Sequence, residues 1–247
     1  MTTNIFISGA TSAMAQAFAR LYAPKGAQFF LVGRSAQKLQ FIKQDLQVRG
    51  AKKIVTVSLD MAQLQDYNKI IAGAIKELGS IDIALIAQGV MHPQADAQDN
   101  AALVRDMVQV NVLSAIETAN ALGHYFEKIG KGALLVISSV AGDRGRQSNY
   151  LYGSTKAALS VYTDGLRNRL SKKGITVVTV KPGFVDTPMT VGLDTSGPLW
   201  ATPEKVADDM ARAVEKRASV LYTPWFWRYI MLIIKHIPEF IFKKLSL

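Results

Sequence analysis

The chain contains no cysteine. Disulfides, thiolate metal sites and a cysteine nucleophile are therefore excluded, and the composition suits a reducing compartment. Histidine is nearly as scarce. His92, His124 and His236 are scattered and have no i,i+4 partner, so a histidine metal centre is not expected. The sequence also lacks low-complexity tracts, internal repeats and any linker rich in proline, glycine and serine. Its start has neither the charged stretch nor the long apolar run of a secretory leader, and it enters a strand-like segment at once. The expected location is the cytoplasm, with the inner face of the membrane included if the carboxyl-terminal tail meets lipid. The formal net charge is +10. Such a balance calls for an anionic partner: nucleic acid, a phosphorylated ligand or a membrane surface. The lysines and arginines are spread along the chain, and no nucleic-acid motif is present, so nucleic acid is not expected.

What remains is 247 residues, 49% of them hydrophobic, enough for one large domain with a well-buried core. Short apolar runs occupy residues 4–8, 29–32, 54–58, 83–87, 134–138, 176–181 and 220–222. They are apolar on both faces, as parallel strands covered on both sides must be. Helical patterns lie between them at 13–23, 36–49, 63–78, 100–128, 149–172 and 203–217. Thr202-Pro203-Glu204 is a well-formed helix start, with a capping residue before a first-turn proline. This alternation predicts an α/β domain over 1–223: a doubly wound parallel sheet of about seven strands, helices on both faces. Residues 184–200, rich in Thr, Gly and Pro, read as a loop or lid beside the site. Residues 224–247 read as a separate basic, aromatic helical tail.

The first strand runs into Ser8-Gly9-Ala10-Thr11-Ser12-Ala13-Met14 and then a helix. A strand–turn–helix aims free backbone amides, and the positive end of the helix dipole, at an anion such as a pyrophosphate. Gly9 permits the tight turn, while Thr11, Ser12 and Met14 would flank the ligand. The full G-x-G-x-x-G fingerprint is missing, and Ala13 and Ala15 keep the turn small in its place. The plain alternative is a small-residue turn with no ligand. Arg34 closes the second strand where an acid would hold a ribose 2′-hydroxyl. An arginine there suits a 2′-phosphate and favours NADP(H) over NAD(H); otherwise it is a solvated surface arginine. Asp60, after the third strand, would reach an adenine or else cap the next helix.

Tyr152 and Lys156 stand four residues apart in a helical segment and so share a face. A free phenol titrates near ~10, too high for efficient proton transfer at neutral pH, and a nearby ammonium lowers it. The pair would make a general acid or base for an alkoxide. Ser139, at the carboxyl end of a strand, would donate a hydrogen bond to a carbonyl oxygen. Taken alone, Tyr-x-x-x-Lys is an ordinary helix face; strand-end serine and nucleotide turn, in this order, give it meaning.

Ser139 followed by Tyr152-Gly153-Ser154-Thr155-Lys156 resembles the active-site pattern of the short-chain dehydrogenase/reductase family, over about residues 4–223. The resemblance implies a Rossmann-type fold, a nicotinamide cofactor and association into dimers or tetramers. It assigns Asn111 to a water relay behind Lys156. It also assigns Ala87 and Gly89 to the cofactor cleft, Pro182-Gly183 to its floor, and Val185 and Thr187 to the carboxamide. Ile86-Ala87-Gln88-Gly89 departs from the family's Asn-Asn-Ala-Gly. Within the family, residues 141–150 and the tail are similar to reductases of polyprenyl-phosphate-linked 2-keto pentoses. That likeness implies a lipid-linked ketone reduced with NADPH, and phosphate contacts from Arg144 and Arg146; the alternative is two solvated loop arginines. In the tail, Arg228, Lys235, Glu239 and Lys243 fall on roughly one helical face, which Pro238 must kink. A basic aromatic helix of this kind suits a membrane interface, and packing on its own domain or on a second subunit is the alternative. Three other functions stay open: reduction of a steroid or acyl ketone, sensing of NADP(H) without turnover, and nucleic-acid binding on charge alone.

Overall fold

The computed structural model describes residues 2–63, 65–190, 194 and 197–245. Seven parallel strands form one sheet: β1 (Asn4–Ser8), β2 (Gln28–Gly33), β3 (Lys53–Ser58), β4 (Ile83–Ile86), β5 (Ala133–Ile137), β6 (Thr176–Pro182) and β9 (Val220–Thr223). Their spatial order is β3-β2-β1-β4-β5-β6-β9. Two short strands, β7 (Phe184–Val185) and β8 (Trp200–Ala201), pair separately beside it. Helices α1 (Ala13–Tyr22), α2 (Ala36–Val48), α3 (Tyr67–Leu78), α4 (Gln94–Gln98), α5 (Ala101–Val108), α6 (Ser114–Ile129), α7 (Tyr150–Ser171) and α8 (Pro203–Glu215) fill the crossovers. Two more, α9 (Trp227–His236) and α10 (Glu239–Phe242), make the tail.

Strand residues alternate between two cores. Ile5, Ile7, Phe29 and Leu31 face α1, α2 and α8, while Phe6, Phe30 and Val32 face α3, α6 and α7. Both sets are buried, which is why the strands read as unbroken apolar runs. From β1 the chain steps to β2 and β3 on one side, then crosses over from β3 to β4 on the other side of β1. A crevice opens at the carboxyl ends where the order reverses, and open α/β sheets put ligands there.

Four expectations need correction. The helix foreseen over 63–78 starts at Tyr67, because Asp66 accepts from the Lys69 amide and caps it. The one foreseen over 100–128 carries a π-helical turn, Gln109–Leu113, between α5 and α6, and Asn111 sits in it. The stretch 184–200 is not wholly loop, since it holds β7, a 3-10 turn at Pro188–Thr190 and the start of β8; residues 191–193 and 195–196 lie outside the described residues. The tail is two helices broken at Pro238, so its charged residues do not form one face.

Candidate active site

The carboxyl ends of the strands border a cavity of about 390 Å³. At its β1 end the chain must reverse within a few residues. Gly9 does this at φ +77, and a side chain there would collide with the backbone of Gln88. Its amide and that of Ala10 both donate to the Val32 carbonyl, at 3.0 and 2.9 Å. Among the described residues, the amides of Thr11, Ala13 and Met14 have no hydrogen-bond partner, and Ser12 occupies the N-cap of α1 without turning its side chain onto the helix. Free donors at a helix start, with a glycine that no other residue could replace, fit a pyrophosphate. Arg34 is exposed at the end of β2, its carbonyl held by the Ser58 hydroxyl at 2.9 Å. Its guanidinium makes no hydrogen bond or ion pair among the described residues.

Arg34 and Ser139 follow β2 and β5, three strand spacings apart in the sheet, or about 14 Å. That span suits an extended dinucleotide. Gly9, Thr11, Ser12, Met14, Arg34, Ala87, Gly89, Ser139, Tyr152, Lys156, Pro182, Gly183, Val185 and Thr187 all line the cavity. Asp60 does not. Its carboxylate accepts from the Ala62 amide at 3.0 Å and shapes the turn after β3, and Met61 lines the cavity beside it.

At the other end, Ser139 is extended and its hydroxyl accepts from the Ala141 amide at 3.1 Å. Tyr152 and Lys156 project from the first turns of α7. Two serines that sequence reasoning passed over fix the join. Ser138 Oγ donates to the Lys156 carbonyl at 2.8 Å and lies 2.8 Å from Ser160 Oγ, pinning the end of β5 to α7. Lys156 is buried, and its Nζ donates to the Ile137 carbonyl at 3.1 Å, 5.6 Å from the centre of the Tyr152 ring. Burial lowers its pKa to about 8. Burial pushes the Tyr152 phenol up to about 12, with the Ser139 hydroxyl acting against it. The lowering of the phenol expected from the ammonium is not seen: burial dominates, and the Ser139 hydroxyl is what acts against it. Asn111 is fully buried and does not line the cavity. Its amide clamps both backbone groups of Val90, at 2.7 and 2.9 Å, and donates to Thr155 Oγ1 at 3.0 Å. It thereby ties the loop after β4 to α7 on the far side of Lys156.

The two loop arginines part company. Arg144 is taken by the tail: it donates to the carbonyls of Ile234 and Ile237 at 2.6 and 2.7 Å, pairs with Glu239 at 3.0 Å and stacks on the Phe242 ring. Its Nη1 and Nη2 are turned onto the tail, and it does not line the cavity. Arg146 lines the cavity. The tail packs behind the site without lining it. Trp227 is buried against Gly183, where any side chain would strike the indole, and against Val140, the residue after Ser139.

The chain matches the short chain dehydrogenase family over residues 3–196. An uncharacterized oxidoreductase of Mycobacterium tuberculosis is 33% identical over 241 residues, 98% of this chain and 96% of that protein. A tryptophan variant of the actinorhodin polyketide ketoreductase, solved with NADPH, superposes with a TM-score of 0.80 at 21% identity, covering 90% of this chain and 95% of that one. A short chain dehydrogenase from Mycobacterium paratuberculosis bound to NAD gives 0.79 at 25% identity, covering 89% and 95%. The chain belongs to the short-chain dehydrogenase family and is an oxidoreductase that works with a nicotinamide cofactor.

Proposed function

We propose that this protein reduces a ketone to a secondary alcohol with NADPH. The observation that carries the reading is the meeting of Ser139, Tyr152 and Lys156 at one end of a cavity whose other end offers free amides and Arg34. The turn at Gly9–Met14 holds the pyrophosphate, Arg34 the 2′-phosphate, and Gly183, Val185 and Thr187 the nicotinamide side. The bound cofactor supplies the hydride that reaches the carbonyl carbon. Ser139 holds the carbonyl oxygen and Tyr152 gives it a proton as charge develops. A phenol titrating at about 12 is fully protonated at neutral pH, the state an acid needs. The phenolate left behind faces the Lys156 ammonium, which stabilises it until a proton returns.

For the substrate, we favour a polyprenyl-phosphate-linked 2-keto pentose. Two observations support a lipid-borne ketone. Apolar and aromatic side chains on the tail, Trp225, Tyr229, Leu232 and Ile233, are exposed beside Arg228 and Lys235. The same tail packs through Trp227 behind Val140 and Gly183, which line the site. Among the described residues no helix is long and apolar enough to cross a membrane, so contact would be peripheral.

The test is ketone-dependent NADPH oxidation with prenyl-phosphoryl keto-pentose, free keto-pentose, a steroid ketone and a long-chain acyl ketone. Tyr152→Phe should lose at least about a hundredfold in kcat with NADPH affinity unchanged. Turnover retained in that variant removes Tyr152 as proton donor. Turnover only of steroid or acyl ketones keeps the reductase and discards the sugar.

A further inference from the structure

We infer that Arg146 and Asn149 form a substrate subsite for a hydroxylated ketone bearing an anionic group. The inference deepens the reductase reading and rests on it. Both residues line the cavity next to Tyr152. Arg146 Nε and Asn149 Oδ1 are both shut off from solvent, and neither has a hydrogen-bond partner among the described residues. A buried donor and a buried acceptor left open in one cavity need partners, and a ligand can bring both.

The surroundings show that neither is open by accident. The acid that acts on Arg146 is Asp143, but its oxygens hydrogen-bond elsewhere. One of its oxygens holds Lys181 Nζ at 2.6 Å and the other accepts from the Tyr222 hydroxyl at 2.7 Å. Asp143 still favours the Arg146 cation from a distance, but no acid forms an ion pair or hydrogen bond with Arg146 among the described residues, and burial disfavours its charge. A guanidinium with a desolvated, unpartnered nitrogen is costly to keep unless an anion joins it.

Asn149 tells the same story through a different bond. It precedes α7 at the N-cap, where asparagine normally turns its side chain onto the first helical amides. Here it makes no such bond. Gln94, from α4, reaches across 57 residues and accepts from the Leu151 amide at 3.0 Å in its place. The Asn149 carbonyl is thereby left without a partner on a residue that lines the cavity one helical turn before Tyr152. An acceptor in that position takes a hydroxyl on a carbon close to the reacting carbonyl. The anion beside Arg146 is a phosphate ester or a carboxylate, on a lipid-linked or a free molecule.

The experiment compares KM and kcat, with NADPH saturating, for ribulose 5-phosphate, ribulose, a prenyl-phosphoryl keto-pentose, a keto acid and cyclohexanone. Arg146→Gln should raise KM about tenfold or more for the anionic ketones, leave kcat nearly unchanged, and leave ribulose and cyclohexanone unaffected. Arg146→Lys should recover part of the loss, as charge alone would. Asn149→Leu should raise KM for the hydroxylated ketones and spare cyclohexanone. Dependence on Arg146 only for the prenyl ester names the lipid-linked source; dependence for ribulose 5-phosphate names a free one; dependence for the keto acid names a carboxylate. An Arg146→Gln change that is equal for all ketones, or absent for all, overturns the subsite. If no ketone is turned over, the reductase reading fails by itself. The subsite is then judged by calorimetric titration of ribulose 5-phosphate into the NADPH-loaded protein. Binding lost in Arg146→Gln upholds it, and no binding to the unmodified protein overturns it.

Discussion

At the scale of single residues, the site is a contest between burial and charge. Lys156 is withdrawn from water yet keeps its proton up to about pH 8, while Tyr152 keeps its own to about 12. Reduction uses both in their protonated forms. The reductive kcat/KM should therefore be flat below pH about 8 and fall as pH rises through that value, when Lys156 becomes neutral and no longer faces the phenolate with a positive charge. A pH profile checks this, and Lys156→Arg should abolish the falling limb because a guanidinium does not titrate there. A limb that survives in the arginine variant assigns the titration elsewhere. Arg34 poses a simpler question. Its free guanidinium at the β2 end should give NADPH its advantage, so Arg34→Asp should raise the KM for NADPH about tenfold or more and leave that for NADH the same or lower. Equal effects on both cofactors would end the 2′-phosphate role.

At the scale of elements, the legible part of the molecule is the local part. Tyr152 and Lys156 share a helix face by spacing alone, Ser139 ends a strand, and Gly9 stands in a strand-to-helix turn; each relation spans a few residues. The strands were legible for a related reason, since a sheet covered on both faces shows as unbroken apolar runs. What could not be read comes from pairs far apart in the chain. Arg144 meets Ile234 across 90 residues, and Tyr222 meets Asp143 across 79. A sequence window sees two loop arginines and gives no reason to separate them. The π-helical turn at Gln109–Leu113 was equally hidden, because its residues are helix-forming in pattern and only the winding changes. Helix α9 is the clearest case. Trp227 and Met231, four residues apart, are buried against Val140, so the helix packs behind residues that line the site. Trp227→Ala should cost about 3–5 kcal/mol in urea unfolding, the range for emptying a buried aromatic position. It should also lower kcat, because Gly183 and Val140 lose the ring that holds them. Unchanged stability would mean that the tail rests on the domain without supporting it.

At the scale of the whole molecule, the question is why a helix with one face in the core should leave its other face apolar. On α9 and α10 the outward side chains include Tyr229, Leu232, Ile233, Phe240 and Ile241, with Trp225 just before them and Arg228, Lys235, Lys243 and Lys244 exposed among them. Trp225, Ile233 and Phe240 are each about two-thirds exposed, at 69%, 68% and 65%, which water alone does not favour. Arg144 holds the two tail helices together through the Ile234 and Ile237 carbonyls and Glu239, so the apolar face is presented as a fixed surface. On the proposed reading of a lipid-borne substrate, a net charge of +10 should draw such a face to anionic lipid. Vesicles containing phosphatidylglycerol should bind the protein, and binding should weaken with salt and be much weaker on neutral phosphatidylcholine. Deleting the tail would confuse this test, because Trp227 leaves with it. Trp225→Ala combined with Ile233→Ser changes only outward residues. Each apolar side chain is worth about 1.5–3 kcal/mol when buried, so the pair should weaken vesicle binding at least about a hundredfold while leaving turnover of a water-soluble ketone intact. Vesicle binding that survives the double substitution would place the contact elsewhere. No binding to either vesicle by the unmodified protein would leave the exposed face to a protein partner, and the lipid-borne substrate would lose its structural support.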